Sequence, residues 1–346
     1  MQIEKILVQP YSLSFRLPLI TAAGKISDRV GYKIQVWDEL GAYGWGEAAP
    51  FPGWGMETLA ETAMTLRLMQ ENLIGKTIEQ SSQILTLLAG CERYPAARHG
   101  MELAILNLFG KNQNLPLAKL LNPNSRIEVE VNGLIGADSM EKTMLQAEEL
   151  VNQGYRCLKL KLGRLTWRAD LARIREVRQV IGDEIKLRLD PNQSWNLEEA
   201  IAHLKELEPL AIEYIEQPLK AKNLSGMAEL RRLGIIAIAA DEAVQNLEQL
   251  HQVIDSQAAD LVILKPMALG GILTAFQAAH IAIDAGLEVV VTTTLDGAIA
   301  RLAALHLAAA LPKLNHACGL ATGHLLADDL LPIEILKSLQ KNPIIL

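Results

Sequence analysis

The chain has 346 residues, half of them hydrophobic, a formal net charge of −7 and three cysteines. That length can bury a large core in one long domain or two. The acidic balance argues against nucleic-acid binding. Cys91, Cys157 and Cys318 lie far apart without CxxC spacing, against a disulfide framework or a zinc site, and no apolar run is long enough to span a membrane.

In chain order, the opening MQIEKILVQPYSLSF shows no basic stretch leading into an apolar one, so a cytoplasmic protein is expected. Strand-like runs cover 3–15, 29–38 and 42–49, with the turn signal DELG at 38–41. Helical patterns follow at 57–74, 78–89 and 97–110, and the turn-rich Asn122-Pro123-Asn124-Ser125 marks a domain boundary. After Arg126 the texture changes to short apolar runs alternating with amphipathic helical patterns. Strands are expected at 127–136, 157–163, 185–190, 212–218, 236–243, 259–266 and 287–294, with a weak eighth near 316–323. Helices fit at 139–153, 166–181, 197–207, 271–285 and 297–310. Strands alternating with helices imply parallel βαβ units, and eight of them imply a closed (β/α)8 barrel over 126–324. An open doubly wound sheet fits less well, since no strand leads into GxGxxG or a P-loop.

The second barrel strand, CLKLKLG (157–163), puts Lys159 and Lys161 side by side on one face, because residues two apart in a strand point the same way. Alone, it reads as a half-exposed strand with a wet lysine face. The other strand ends change that reading. Asp190 follows Lys161 by 29 residues, Glu216 follows after 26, Asp241 after 25 and Lys265 after 24, about one βα unit each time. In a (β/α)8 barrel the carboxyl ends of the strands form the active-site face. Three carboxylates at one height repel and need neutralising, which suits a hard divalent cation, Mg²⁺ by default and Mn²⁺ as a substitute. The lysines flank them. A lysine beside another ammonium and a dication has its pKa pushed down and becomes a general base. A cation holding a substrate carboxylate between two lysines suits proton abstraction α to that carboxylate, with charge developing on oxygen as an enediolate.

The strings KLKLG, RLDPNQSW, IEQP, ADEA and LKPMALGG resemble the enolase superfamily, and within it the muconate-lactonising branch, which carries KxK on strand two and a lone Lys on strand six. The resemblance runs over essentially the whole chain. It implies an N-terminal α+β capping domain (1–122, completed by 325–346) over the barrel. It also implies Asp190, Glu216 and Asp241 as metal ligands, Lys161 as acid/base on one face, Lys265 on the other, and Lys159 in support of Lys161. Asn192 then contacts a lysine or metal-bound water, and Glu242 pairs with a site lysine or is simply a strand-end acid.

Three further strings, WGEAAPFPGWGMET (45–58), PAARHGMELAILNL (95–108) and GLATGHLLADDLL (319–331), resemble the o-succinylbenzoate synthases. That resemblance implies a Mg²⁺-dependent syn dehydration of 2-succinyl-6-hydroxy-2,4-cyclohexadiene-1-carboxylate in menaquinone or phylloquinone biosynthesis, with a small-molecule carboxylate as substrate and oligomeric state left open. N-succinylamino acid racemases and dipeptide epimerases are the alternative on the same site, and muconate cycloisomerases a weaker one. TTTLDGAIAR (292–301) departs from the serine-rich segment of many o-succinylbenzoate synthases. Thr293 and Thr294 can supply the hydroxyls or be ordinary β-branched strand residues. Asp296 can bind a substrate amine, as the acidic pair of the epimerases does, or cap the helix from Gly297. LPLITAAGKISDR (17–29), with Ala22, Ala23 and Gly24, is expected to be a mobile lid, and Phe51 and Gly53 in the Pro50–Trp54 loop to wall the pocket.

Overall fold

In the first domain, alternation in the sequence becomes alternation in burial: Ile34, Val36 and Asp38 face inward while Lys33, Gln35 and Trp37 remain half-exposed. The computed structural model describes residues 1–21, 24–51, 54–136, 139–339 and 342–346. Strands β1 (Ile3–Thr21), β2 (Gly24–Asp38) and β3 (Tyr43–Ala48) form an antiparallel sheet in that order. The segment expected as a lid includes the end of this hairpin: Leu19 pairs with Ile26, Ile20 with Lys25 and Thr21 with Gly24. Ala22 and Ala23 lie outside the described residues.

Helices α1 (Leu59–Leu73), α2 (Gln83–Leu87), α3 (Pro95–Asn112) and α4 (Leu117–Leu121) follow. α1 starts at a reciprocal Thr58/Glu61 capping box. The helix expected at 78–89 is only α2, because the chain before it pairs with the N-terminal strand: Ile3 N donates to Lys76 O, and Ile78 N to Met1 O. α3 is buried along most of its length. Glycines let it approach β3 closely; a Cβ on Gly46 would stand 1.9 Å from Gly100 O.

The run expected as one strand at 127–136 is split. β4 (Glu128–Val129) turns away to pair antiparallel with the C-terminal β12 (Ile344–Ile345), and only β5 (Gly133–Ile135) joins the barrel. β6 (Cys157–Lys161), β7 (Lys186–Asp190), β8 (Ile212–Glu216), β9 (Ile238–Ala240), β10 (Leu261–Leu264) and β11 (Glu288–Val291) extend a seven-stranded parallel sheet in chain order. Helices α5 (Met140–Asn152), α6 (Trp167–Ile181), α7 (Leu197–Leu207), α8 (Leu224–Leu233), α9 (Leu247–Asp255), α10 (Ile272–Asp284) and α11 (Ala298–Ala310) alternate with them, and α12 (Ile333–Ser338) comes last. The eighth position is a pair of bridges rather than a strand: Cys318 bridges to Val131 and Gly319 to Thr292, linking the two edges of the sheet. The result is a (β/α)8-type barrel under an N-terminal capping domain. Inside the sheet, Tyr214, Ala239, Leu261, Ile263 and Val290 pack together, and the fully buried Arg188 lies over the Tyr214 ring, its guanidinium 4.7 Å from the ring centroid.

Candidate active site

β6 presents Leu158 and Leu160, both fully buried, on one face, and Lys159 and Lys161, partly buried, on the other. Its register with β7 sets Lys161 beside Asp190. Lys161 Nζ donates to Asp190 Oδ2 at 2.6 Å and to Asn192 Oδ1 at 2.8 Å. Lys159 Nζ lies between two carboxylates, 2.7 Å from Asp190 and 2.5 Å from Glu216. Across the sheet, Lys265, just past β10, grips both oxygens of Asp241, just past β9. The strand order therefore places Lys161 and Lys265 at opposite flanks of an arc formed by Asp190, Glu216 and Asp241.

The carboxylates are almost completely buried, Asp190 at 0% exposure and Glu216 and Asp241 at 2% each. Burial pushes Glu216 up to about 8, helped by the charges of Asp190 and Asp241 and opposed by Lys159. Burial also raises Asp241, against the pull of Lys265. Burial works to raise Asp190 too, but the Lys159 and Lys161 ammoniums outweigh it and hold its carboxyl below the usual range. Burial disfavours the Lys159 ammonium, but Asp190, Glu216 and Asp241 win and raise its pKa well above the ordinary lysine value.

The three carboxylates do not converge bare on one point. Among the described residues no three acids, histidines or cysteines form a ready cage; ammonium groups stand between the carboxylates. The donor set still fits a hard divalent cation. It is all oxygen and it is buried, and Glu216, raised first by burial and then by the Asp190 and Asp241 charges, is a group whose charged form a cation would stabilise. Glu242 Oε2 is buried without a hydrogen-bond partner nearby in the chain.

The expected supporting residues fall into two groups. Asn192 links Lys161 to Glu242, accepting from the lysine and donating through Nδ2 to Glu242 Oε1 at 3.2 Å. Glu242 thus meets the lysine through an amide, not as a direct ion pair. Gln217 carries more of the framework than its place in IEQP suggests. Its Oε1 accepts from Asp241 N at 2.9 Å and Ala243 N at 3.1 Å, and its Nε2 donates to Leu219 O at 3.0 Å. One buried amide thereby ties the Glu216 strand end to the Asp241 strand end. Asn192, Gln193 and Gln217 all have positive φ, of 45°, 64° and 40°, and such backbone strain concentrates at functional sites.

On the other flank, Thr293 is buried with an unpartnered Oγ1, and Thr294 Oγ1 donates to Asp296 at 2.5 Å. Asp296 does not cap α11. Its carboxylate faces Arg29 at 3.5 Å, and Arg29 also donates to the carbonyls of Ala49, Pro50 and Leu295. Arg29 lies over Phe51, its guanidinium carbon 5.4 Å from the ring centroid. Trp54 covers Lys265, whose Nζ is 3.4 Å from the ring centroid. Gly53 lies outside the described residues.

Acids and amines alternating across the carboxyl ends of barrel strands, under a capping domain that reaches one flank, define an acid–base enzyme of the enolase type. The chain belongs to that superfamily: residues 142–336 match the family model "Enolase C-terminal domain-like", and residues 3–122 match "Mandelate racemase / muconate lactonizing enzyme, N-terminal domain". It is 32% identical to an L-Ala-D/L-Glu epimerase of Clostridium acetobutylicum, over 90% of this chain and 87% of that protein. It is 30% identical to an o-succinylbenzoate synthase of Thermobifida fusca, over 93% of this chain and 84% of that one. It superimposes on the dipeptide epimerase of Enterococcus faecalis, solved with Mg and the dipeptide L-Leu-L-Tyr, with a TM-score of 0.88 and 28% identity, over 95% of this chain and 93% of that one.

Proposed function

We propose that the chain is a Mg²⁺-dependent racemase or epimerase that inverts the α-carbon of an N-acylated amino acid, an N-succinylamino acid being the first candidate and a dipeptide the second. The observation that carries the proposal is the placing of Lys161 and Lys265 at opposite flanks of one carboxylate arc. Inversion needs one group to take a proton from one face and another to return a proton to the opposite face. The likeness to epimerases at 32% identity supports this over a one-base reaction.

Asp190, Glu216 and Asp241 would hold Mg²⁺, which when bound supplies positive charge for the substrate carboxylate. Lys161, as the free amine, takes the α-proton while the C–H electron pair moves into the carboxylate. Lys265, as the ammonium, gives its proton to the other face, and the roles exchange for the reverse reaction. Lys159 lies between Asp190 and Glu216 and would supply positive charge beside them. Asn192 orients Lys161, and Trp54 closes over Lys265 to limit water.

A second reading, dehydration by an o-succinylbenzoate synthase, has its own support. The acids at the β11 mouth are already engaged: Asp296 by Arg29 and Thr294, and Asp329 by Arg301 at 2.8 Å and by Ala298 N. Neither is free to pair with a substrate ammonium. This favours a substrate without a charged amine, whether an N-succinylamino acid or the cyclohexadiene carboxylate.

The test incubates purified protein and Mg²⁺ with L-Ala-L-Glu, with N-succinyl-L-amino acids and with the cyclohexadiene substrate, each with an EDTA control. EDTA-sensitive inversion of the first or second supports the epimerase. Diene loss without inversion transfers the assignment to the dehydratase, and turnover of none of them defeats both readings.

A further inference from the structure

The barrel helices differ in how they begin. α5, α7, α8 and α9 are capped by their own Ser139, Asn196, Asn223 and Asn246, whose side chains accept backbone N–H groups of the first turn. α10 and α11 begin instead at Gly271 and Gly297, which have no side chain to offer. Their open first-turn N–H groups are met by glutamates from the capping domain and, at Ala298, by Asp329. Glu102 Oε1 accepts from Leu273 N at 2.9 Å. Glu47 Oε1 accepts from Gly297 N at 2.6 Å, and Oε2 from Ala300 N at 2.9 Å. Both glutamates are fully buried.

The glycines make the room. Gly271 has φ of +153°, and a Cβ there would stand 2.4 Å from the Glu102 oxygens; a Cβ on Gly297 would stand 2.8 Å from Glu47 Oε1. Each glutamate has further ties. Tyr11 OH donates to Glu47 at 2.7 Å, and Arg98, 3.9 Å from Glu102, donates to Gly270 O at 2.7 Å and to Thr274 Oγ1 at 2.8 Å. α10 follows the strand that leads to Lys265, and α11 follows the strand that leads to Thr293 and Thr294.

We propose that Glu102 and Glu47 are positioning residues: by capping α10 and α11 from the other domain, they fix the loops carrying Lys265 and the threonine pair. The capping domain thereby sets one flank of the site, while Lys161 is set within the barrel. Lys265 itself makes no contact with Glu102 and is held through residues 266–271. Part of the test rests on the two-lysine epimerase proposed above, and part is independent of it.

The independent arm is hydrogen–deuterium exchange of the whole protein, read by mass spectrometry. Glu102→Ala is expected to raise amide exchange at least five-fold in peptides covering 266–275, with little change in 157–163. Glu102→Gln, which keeps a carbonyl oxygen for Leu273 N, is expected to exchange no faster than wild type. Glu47→Gln cannot satisfy Tyr11, Gly297 and Ala300 with one oxygen, and is expected to loosen 292–301. Unchanged exchange in both segments would overturn the inference.

The second arm follows α-proton exchange of each enantiomer of N-succinylated amino acids in D₂O. Glu102→Ala is expected to slow, at least ten-fold, the enantiomer that Lys265→Ala also abolishes, and to slow the other less than three-fold, with Glu102→Gln restoring the rate. Equal slowing of both enantiomers contradicts a positioning role. Wild-type protein that exchanges neither enantiomer would count against the epimerase alone, and the amide-exchange arm then decides the positioning role.

Discussion

The two flanks of the site are built differently. Around Lys161 everything comes from neighbouring barrel strands: register with β7 brings Asp190, the next loop brings Asn192, and Gln217 bolts the following strand ends together. Around Lys265 much comes from the other domain. Trp54 covers the ammonium, Arg29 holds Asp296, and Glu102 and Glu47 start the helices beyond. Short-range strand register thus fixes Lys161, and on the positioning proposed above domain docking fixes Lys265.

The largest expected effect sharpens this contrast on the barrel side. Asp190→Ala removes the buried anion shared by Lys159 and Lys161. Loss of one member of a buried charge set costs about 3–5 kcal/mol, and urea unfolding of metal-free protein is expected to show it. A cost below about 1 kcal/mol would mean that the lysines have other partners in solution.

On the capping side, the effect depends on pH. Burial raises Glu102 to about 7, with backbone N–H groups and Arg98 opposing. A carboxyl whose folded pKa lies above its unfolded value contributes stability at low pH, and loses it as pH rises through the folded pKa. Wild type and Glu102→Gln should therefore be similar near pH 4. The difference should grow to about 3 kcal/mol in favour of the glutamine by pH 8. A flat difference between those limits would show that the carboxylate ionises without penalty. The smallest effect is Gln217→Ala. It leaves the buried N–H groups of Asp241 and Ala243 unpaired, and is expected to cost about 1–3 kcal/mol and to weaken Mg²⁺ binding, measured by calorimetry.

The same asymmetry governed what the sequence made legible. Asp190, Glu216, Asp241 and the lysines were readable because βα units repeat at a nearly constant interval, so strand ends announce themselves in one dimension. The barrel helices were readable from their periodicity; α7 falls at the expected residues 197–207. The capping side was harder. Arg29, Glu47 and Glu102 each reach a partner in the other domain, 267, 250 and 171 residues away, and no local pattern encodes those contacts. The one available signal was negative: helices opening on glycine at 271 and 297 without a capping side chain of their own. The pairing at the end of the β1–β2 hairpin was not legible because small residues suit a lid as well as a strand end, and α2 was shortened by pairing with the N-terminus, which helical periodicity does not reveal.

The central claim is that two lysines act on opposite faces of one carbon. Its most direct test is enantiomer-resolved α-proton exchange in D₂O, by NMR, for wild type, Lys161→Ala and Lys265→Ala with Mg²⁺ present. The account predicts that wild type exchanges both enantiomers, and that each variant loses one, by about 10²–10⁴-fold, while retaining the other. Loss of both enantiomers in Lys161→Ala, with Lys265→Ala still exchanging one at the wild-type rate, would contradict it and leave a single-base enzyme.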